Sequence, residues 1–128
     1  MKMAKMVKIQ HEAIEQELLF KWVNFISLQH PEIALMFHIP NGGKRDSREA
    51  ANLKRQGVRA GVPDLFLPVP SGKWHGLFIE LKYGKNKTTA NQDEWLNKLY
   101  EQGYACAVCR GWESAAKAIC KYLNITYI

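Results

Sequence analysis

Asp64, Glu80 and Lys82 are the residues whose types and spacing could do chemistry. Glu80 and Lys82 lie in Gly76-Leu-Phe-Ile-Glu-Leu-Lys82, a run that is otherwise apolar. Side chains in a strand alternate between faces, so Leu77, Ile79 and Leu81 point one way and Phe78, Glu80 and Lys82 the other. Charges near a core are costly unless they are paired or bound to a metal. Asp64 sits at the start of a second apolar run, Gly61-Val-Pro-Asp-Leu-Phe-Leu67, directly after Pro63. A turn through Pro70-Ser-Gly72 joins the two runs, which are expected to pair antiparallel. The carboxylates of Asp64 and Glu80 then meet if the hairpin is skewed or bulged near Lys73 to His75. Two hard oxygen donors on a rigid sheet suit Mg²⁺ or Mn²⁺. Such a cation would hold a phosphate oxygen and lower the pKa of a bound water. Lys82 would orient that water or neutralise charge developing on the phosphate. The competing reading makes Glu80 and Lys82 an ion pair on a half-exposed strand, and Asp64 a turn acid.

The elements that must position these residues follow from hydrophobic periodicity and turn chemistry. A first helix is expected from about Lys8 to Gln29, with Ile14, Leu18, Trp22, Phe25 and Ile26 on one apolar face and Pro31 helping to end it. A short strand, Leu35 to Ile39, leads into the turn Pro40-Asn-Gly-Gly43. A second helix is expected from Ser47 to Gln56, with Asp46 as N-cap, Glu49 completing a box-like start and Gly57 as the stop. Strands over Pro63 to Val69 and Gly76 to Lys82 follow, then a polar loop, Tyr83 to Thr89. A helix from Ala90 to Gln102, a strand from Tyr104 to Cys109 and a helix from Glu113 to Leu123 complete the chain. The order is αβαββαβα: an α/β fold with one mixed sheet flanked by helices. The 128 residues fit a single domain spanning 1–128, with 1–8 a loose basic N-terminus.

The net charge of +6 suits a polyanionic partner, and its distribution is more telling. Lys44, Arg45, Arg48, Lys54, Arg55 and Arg59 face only Asp46 and Glu49 over that stretch. Lys85 and Lys87 follow Lys82 with no acid among them. Local excess of this kind drives binding to phosphates through counterion release. Asn41, Lys44 and Arg45 are candidate phosphate contacts, and a solvated helix face or loop is the plainer alternative. The three cysteines, Cys106, Cys109 and Cys120, argue against a disulfide framework and read as core residues, as do Trp74, Trp95 and Trp112. The four histidines are scattered and read as structural or surface residues. No 18-residue apolar run spans a membrane, and no signal peptide follows the basic start, so a cytoplasmic location in a bacterial or phage-infected cell is expected.

Taken together these residues resemble the PD-(D/E)xK nuclease superfamily, and more narrowly the virus-type replication-repair nuclease (VRR-NUC) domains. The likeness runs through His38-Ile-Pro-Asn-Gly-Gly43, Gly57-Val-Arg-Ala-Gly-Val-Pro-Asp-Leu-Phe-Leu-Pro68, Gly76 to Lys82, Asn91-Gln92, Gly103-Tyr104 and Cys109-Arg-Gly-Trp112. The resemblance implies a restriction-endonuclease-like fold and metal-dependent phosphodiester hydrolysis. It makes Asp64 and Glu80 metal ligands, with the carbonyl of Leu81 a further ligand, Lys82 the catalytic lysine and Gln92 a supporting residue. It also implies a glutamate on the first helix. Glu12, accompanied by Gln16, is favoured, and Glu15 is the alternative. Stand-alone members resemble homodimers that cut branched DNA such as four-way junctions, which makes DNA and a second copy of the chain the expected partners. The alternative is a non-catalytic DNA-binding module within a larger replication or repair complex.

Overall fold

The computed structural model describes residues 3–40 and 46–128. One sheet contains, in spatial order, β1 (Phe37–His38), β2 (Leu65–Leu67), β3 (Leu77–Lys82) and β4 (Ala105–Arg110). Among the described residues four α-helices accompany it: α1 (Met3–Ile26), α2 (Ser47–Arg55), α3 (Ala90–Glu101) and α4 (Trp112–Leu123). The expected order holds, with a 3-10 helix at Pro31–Leu35 added. Pro31 opens that helix, which shortens the following strand to two residues. α1 begins at Met3, so the expected loose terminus is helical from there, and it stops at Ile26, before the expected Gln29.

β1 and β2 run antiparallel, as do β2 and β3, whereas β3 and β4 run parallel. A parallel pair cannot be closed by a tight turn, and α3 supplies the crossover. Leu65 and Leu67 of β2 and Leu77, Ile79 and Leu81 of β3 bury one sheet face. α1 and α4 cover that face with Leu19, Trp22, Val23, Ile26, Ala115, Ala116, Ile119 and Cys120. The small Ala115 and Ala116, both fully buried, let α4 lie close to the sheet. On the opposite face Phe66 and Phe78 are register partners, and their rings stack at 4.2 Å. Tyr104 meets both edge-on, and the Cys106 thiol reaches the Leu96 carbonyl of α3.

The apolar face of α1 differs from the expected one. At about 100° per residue, Leu19, Trp22, Val23 and Ile26 cluster on the core side. Val7, Ile14, Leu18 and Phe25 form a second stripe roughly 110° around the helix, and all four are exposed, Phe25 by 60%. Merging the two stripes into one face placed Ile14, Leu18 and Phe25 in the core. They are outside it because the sheet and α4 contact α1 from one direction only.

Candidate active site

The β2–β3 register fixes the geometry of the two acids. Leu67 pairs with Leu77, Phe66 with Phe78 and Leu65 with Ile79. One further step along the same antiparallel register sets Asp64 opposite Glu80, on the face of Phe66 and Phe78. The expected skew or bulge is therefore not needed: the register brings the acids together by itself. The connecting segment 68–76 instead carries its own small turn, closed by two bonds between Ser71 and Trp74 at 3.0 and 3.1 Å.

Asp64 is held firmly. Pro63 before it is fully buried, and its own carbonyl accepts a bond from the Ile39 amide at 2.7 Å. The His38 ring nitrogen Nδ1 lies 3.0 Å from the same carbonyl. Its carboxylate Oδ2 accepts the Leu81 backbone N–H at 2.8 Å. That bond crosses from β2 to β3 and turns the Asp64 side chain toward Glu80.

Glu80 is only 3% exposed and Lys82 8%. Oε2 of Glu80 accepts from Gln92 Nε2 at 3.3 Å and lies 3.6 Å from Lys82 Nζ. Oε1 is buried and has no hydrogen-bond partner among the described residues. Burial, followed by the neighbouring charge of Asp64, pushes the Glu80 carboxyl up to about 8, and the ammonium of Lys82 only partly opposes them. Two close carboxylates with an orphaned buried oxygen are what a bound divalent cation would relieve, so these residues fit one. Among the described residues no three His, Cys, Asp or Glu side chains group to hold a metal. Two carboxylates completed by backbone and water suit Mg²⁺ better than a softer ion.

Gln92 does two things with one amide. Its Oε1 accepts the Thr89 N–H at 2.9 Å while the Thr89 hydroxyl accepts the Gln92 N–H at 3.2 Å, a reciprocal cap that starts α3. That leaves Nε2 aimed at Glu80. The spacing Thr-x-x-Gln was readable in the sequence as a helix start. Its consequence for the orientation of Glu80 was not.

The two first-helix acids separate clearly. Glu15 Oε2 accepts the Trp112 N–H at 2.8 Å. Gly111 at the start of α4 has no side chain to cap the helix, and Glu15 meets that need from α1. Glu12 Oε2 instead accepts from Asn86 Nδ2 at 3.2 Å. Arg110 donates to the Asn86 carbonyl at 3.0 Å, and the His11 ring stacks on Tyr83 at 4.3 Å. These contacts fasten the loop after β3 to α1 and β4. Sequence reasoning missed Asn86 and Arg110 because each acts through partners distant along the chain.

The basic candidates fall into three groups. Arg48, Lys54, Arg55 and Arg59 are exposed on α2 and just beyond it, and Lys85 and Lys87 are exposed on the loop after β3. Asn41, Lys44 and Arg45 lie outside the described residues. The chain leaving α2 is anchored beside the site: Asn91 Nδ2 and Trp95 Nε1 both donate to the Ala60 carbonyl, at 2.9 and 3.0 Å. Gly61 next to it has φ +89°, and a Cβ there would sit 2.6 Å from the Asn91 side chain, so only glycine fits. The cysteines are free thiols, with Cys109 and Cys120 buried and Cys106 half-buried. Burial pushes all three thiols up, that of Cys106 to about 11. Among the described residues no helix is long and apolar enough to cross a membrane.

Comparison with known proteins identifies the family and the fold. The sequence profile of the VRR-NUC domain matches residues 7–113. A solved structure described as a VRR_NUC domain protein superposes with a TM-score of 0.74 at 31% identity. The match covers 90% of this chain and 89% of that one. A comparison with curated proteins gives no match. A profile that spans both acids, the lysine and Gln92, joined to a shared fold over nearly the whole length, makes this chain a member of the VRR-NUC domain family, a nuclease-type domain of the PD-(D/E)xK superfamily.

Proposed function

We propose that this protein is a Mg²⁺- or Mn²⁺-dependent endonuclease that hydrolyses phosphodiester bonds in structured DNA, such as a four-way junction or another replication or repair intermediate. The observation that carries the reading is the buried, unpartnered Oε1 of Glu80 in a carboxyl that also feels the charge of Asp64, with Lys82 Nζ 3.6 Å from its other oxygen. Asp64, Glu80 and the Leu81 carbonyl would hold the cation. A cation bound there supplies charge neutralisation at the phosphate and a more acidic water. Asp64 is preset for this by the Leu81 amide, and Glu80 by Gln92. Lys82, kept near Glu80, steers the attacking water or offsets charge on the phosphate. Glu12 lies at the neighbouring loop through Asn86 and shapes the approach to the site, while Glu15 is structural. Arg48, Lys54, Arg55, Arg59, Lys85 and Lys87 bind the DNA backbone, joined by Asn41, Lys44 and Arg45.

The protein acts as a homodimer in this reading, so that two sites cut two strands. The exposed stripe of Val7, Ile14, Leu18 and Phe25 on α1 supports that, since a monomer has no use for such a row. The apolar face of α4 is already buried in the core, which favours α1 as the interface. The deciding experiment incubates purified protein with four-way junction and linear duplex DNA, with and without Mg²⁺ or Mn²⁺. Metal-dependent cutting of the branched substrate, abolished by Asp64→Ala, is expected. Undiminished cutting by that variant would reject the site.

A further inference from the structure

α2 has no structural use for most of its surface. None of its residues is buried, Leu53 alone is half-buried, and among the described residues it packs closely against no other element. A helix of nine residues gains little from propensity alone and ordinarily depends on packing. This one is well terminated: Asp46 caps Glu49 N–H at 2.8 Å, and Lys54 and Arg55 sit in its last turn, where the helix dipole favours them.

Its side chains are sorted by direction. At about 100° per residue, Arg48, Asn52 and Arg55 fall within roughly 60° of one another, and Leu53 points away from them. The guanidinium of Arg55 donates to the Asn52 side chain, which places those two on one face. Ala51 adds little bulk beside that row, and Ala50 lies on the opposite side of the helix. The outward face thus carries the side chains best suited to base edges in a DNA major groove. Arginine matches guanine O6 and N7, and asparagine matches adenine N6 and N7. Lys54 and Arg59 lie off the row, placed for phosphates. A helix about 10–12 Å across fits a major groove about 12 Å wide. Duplex RNA has a deep, narrow major groove that would exclude it.

We infer that α2 is a groove-reading helix: it enters the major groove of a duplex DNA arm and reads base edges through Arg48, Asn52 and Arg55. The inference rests on the nuclease reading and adds to it a sequence preference near the cut. The Ala60 anchor to α3 and the short segment 56–63 leading to Asp64 hold that arm next to the carboxylates. The free face of α2 then finds its packing partner in the DNA.

The test uses the full chain in EDTA, with a mixed-sequence DNA duplex, a four-way junction carrying the same arms, and the matching RNA duplex. Fluorescence anisotropy gives affinity, and dimethyl sulfate footprinting reports guanine N7 in the major groove. The expected result is N7 protection over a short stretch of the DNA, lost in Arg48→Ala and Arg55→Ala. Each of those variants, and Asn52→Ala, should weaken binding to the preferred sequence by about five- to a hundred-fold. Lys54→Ala should weaken binding to all DNA sequences alike. Absence of N7 protection, equal effects of the variants on every sequence, or equal binding to duplex RNA would each overturn the inference. Metal-dependent cutting measured in parallel separates the two readings. Cutting without N7 protection removes the groove helix and leaves the nuclease, whereas N7 protection without cutting does the reverse.

Discussion

Replacing Glu80 by glutamine should make the metal-free protein more stable above neutral pH. Glu80 is nearly fully buried, and its carboxyl is raised from 4.5 to about 8 by burial first and by Asp64 second. Between those two values the folded protein keeps a proton that the unfolded chain has released. Unfolding then releases a proton, so stability falls as pH rises across that window. Below it both states hold the proton, and above it neither does. At 1.36 kcal/mol per unit, on the order of 5 kcal/mol is lost between about pH 4.5 and 8. A glutamine is neutral throughout, can still accept from Gln92 and can donate to Asp64. It forgoes the attraction of Lys82, so a net gain of about 2–4 kcal/mol at pH 8.5 is expected. For a chain of this length that is roughly 8–15 °C in Tm. Urea denaturation in EDTA at pH 5.5, 7.0 and 8.5 measures it for both proteins. A flat wild-type profile, or a Glu80→Gln protein less stable than wild type at pH 8.5, would refute the reasoning.

Mg²⁺ or Mn²⁺ should reverse the wild-type loss, adding about 2.7 kcal/mol at a hundred times Kd, and should leave Glu80→Gln nearly unaffected; calorimetry with each metal checks this. Glu15→Ala removes the remote cap of α4 and should cost about 1–2 kcal/mol by denaturation, with metal uptake unchanged. Gln92→Ala should cost about 1 kcal/mol through the lost cap of α3 and lower kcat with little change in KM. Gln92→Glu can keep the bond to the Thr89 amide while setting a third acid against Glu80, so its stability should recover at low pH, where the acids are protonated, but its kcat should not. Ile79→Ala, at a fully buried position of β3, should cost about 2–5 kcal/mol by the same denaturation assay.

Much of this arrangement was legible in the sequence because strand alternation is a rigid rule. Phe78, Glu80 and Lys82 had to share a face, and Asp64 had to precede the partner strand. Register was harder, since it depends on how segment 68–76 folds on itself: Pro70-Ser-Gly72 signals a turn but not the Ser71–Trp74 pairing that closes it. The core side of α1 was misread because two apolar stripes share one helix and periodicity alone does not say which one meets the sheet. The choice between Glu12 and Glu15 was open for a similar reason: their different partners, the amide of Asn86 for Glu12 and the backbone N–H of Trp112 for Glu15, are brought near only by the fold. The capped ends of α2 were read from the sequence because their signals are local; the Thr89–Gln92 box of α3 is equally local but was passed over. The loose packing of α2, with only Leu53 half-buried, was not, since a loosely packed helix has the same periodicity as a well-packed one.

The three native thiols open an experimental route. Burial raises all three thiols, Cys109 and Cys120 are buried and Cys106 half-buried, and the thiolate is the form that alkylating reagents attack. Maleimide dyes should therefore ignore the wild-type protein over short reactions. A cysteine placed at exposed Ala50 would then be the single fast-reacting site, with no need to build a cysteine-free background. A fluorophore carried there would report, in real time, the arrival of DNA at α2.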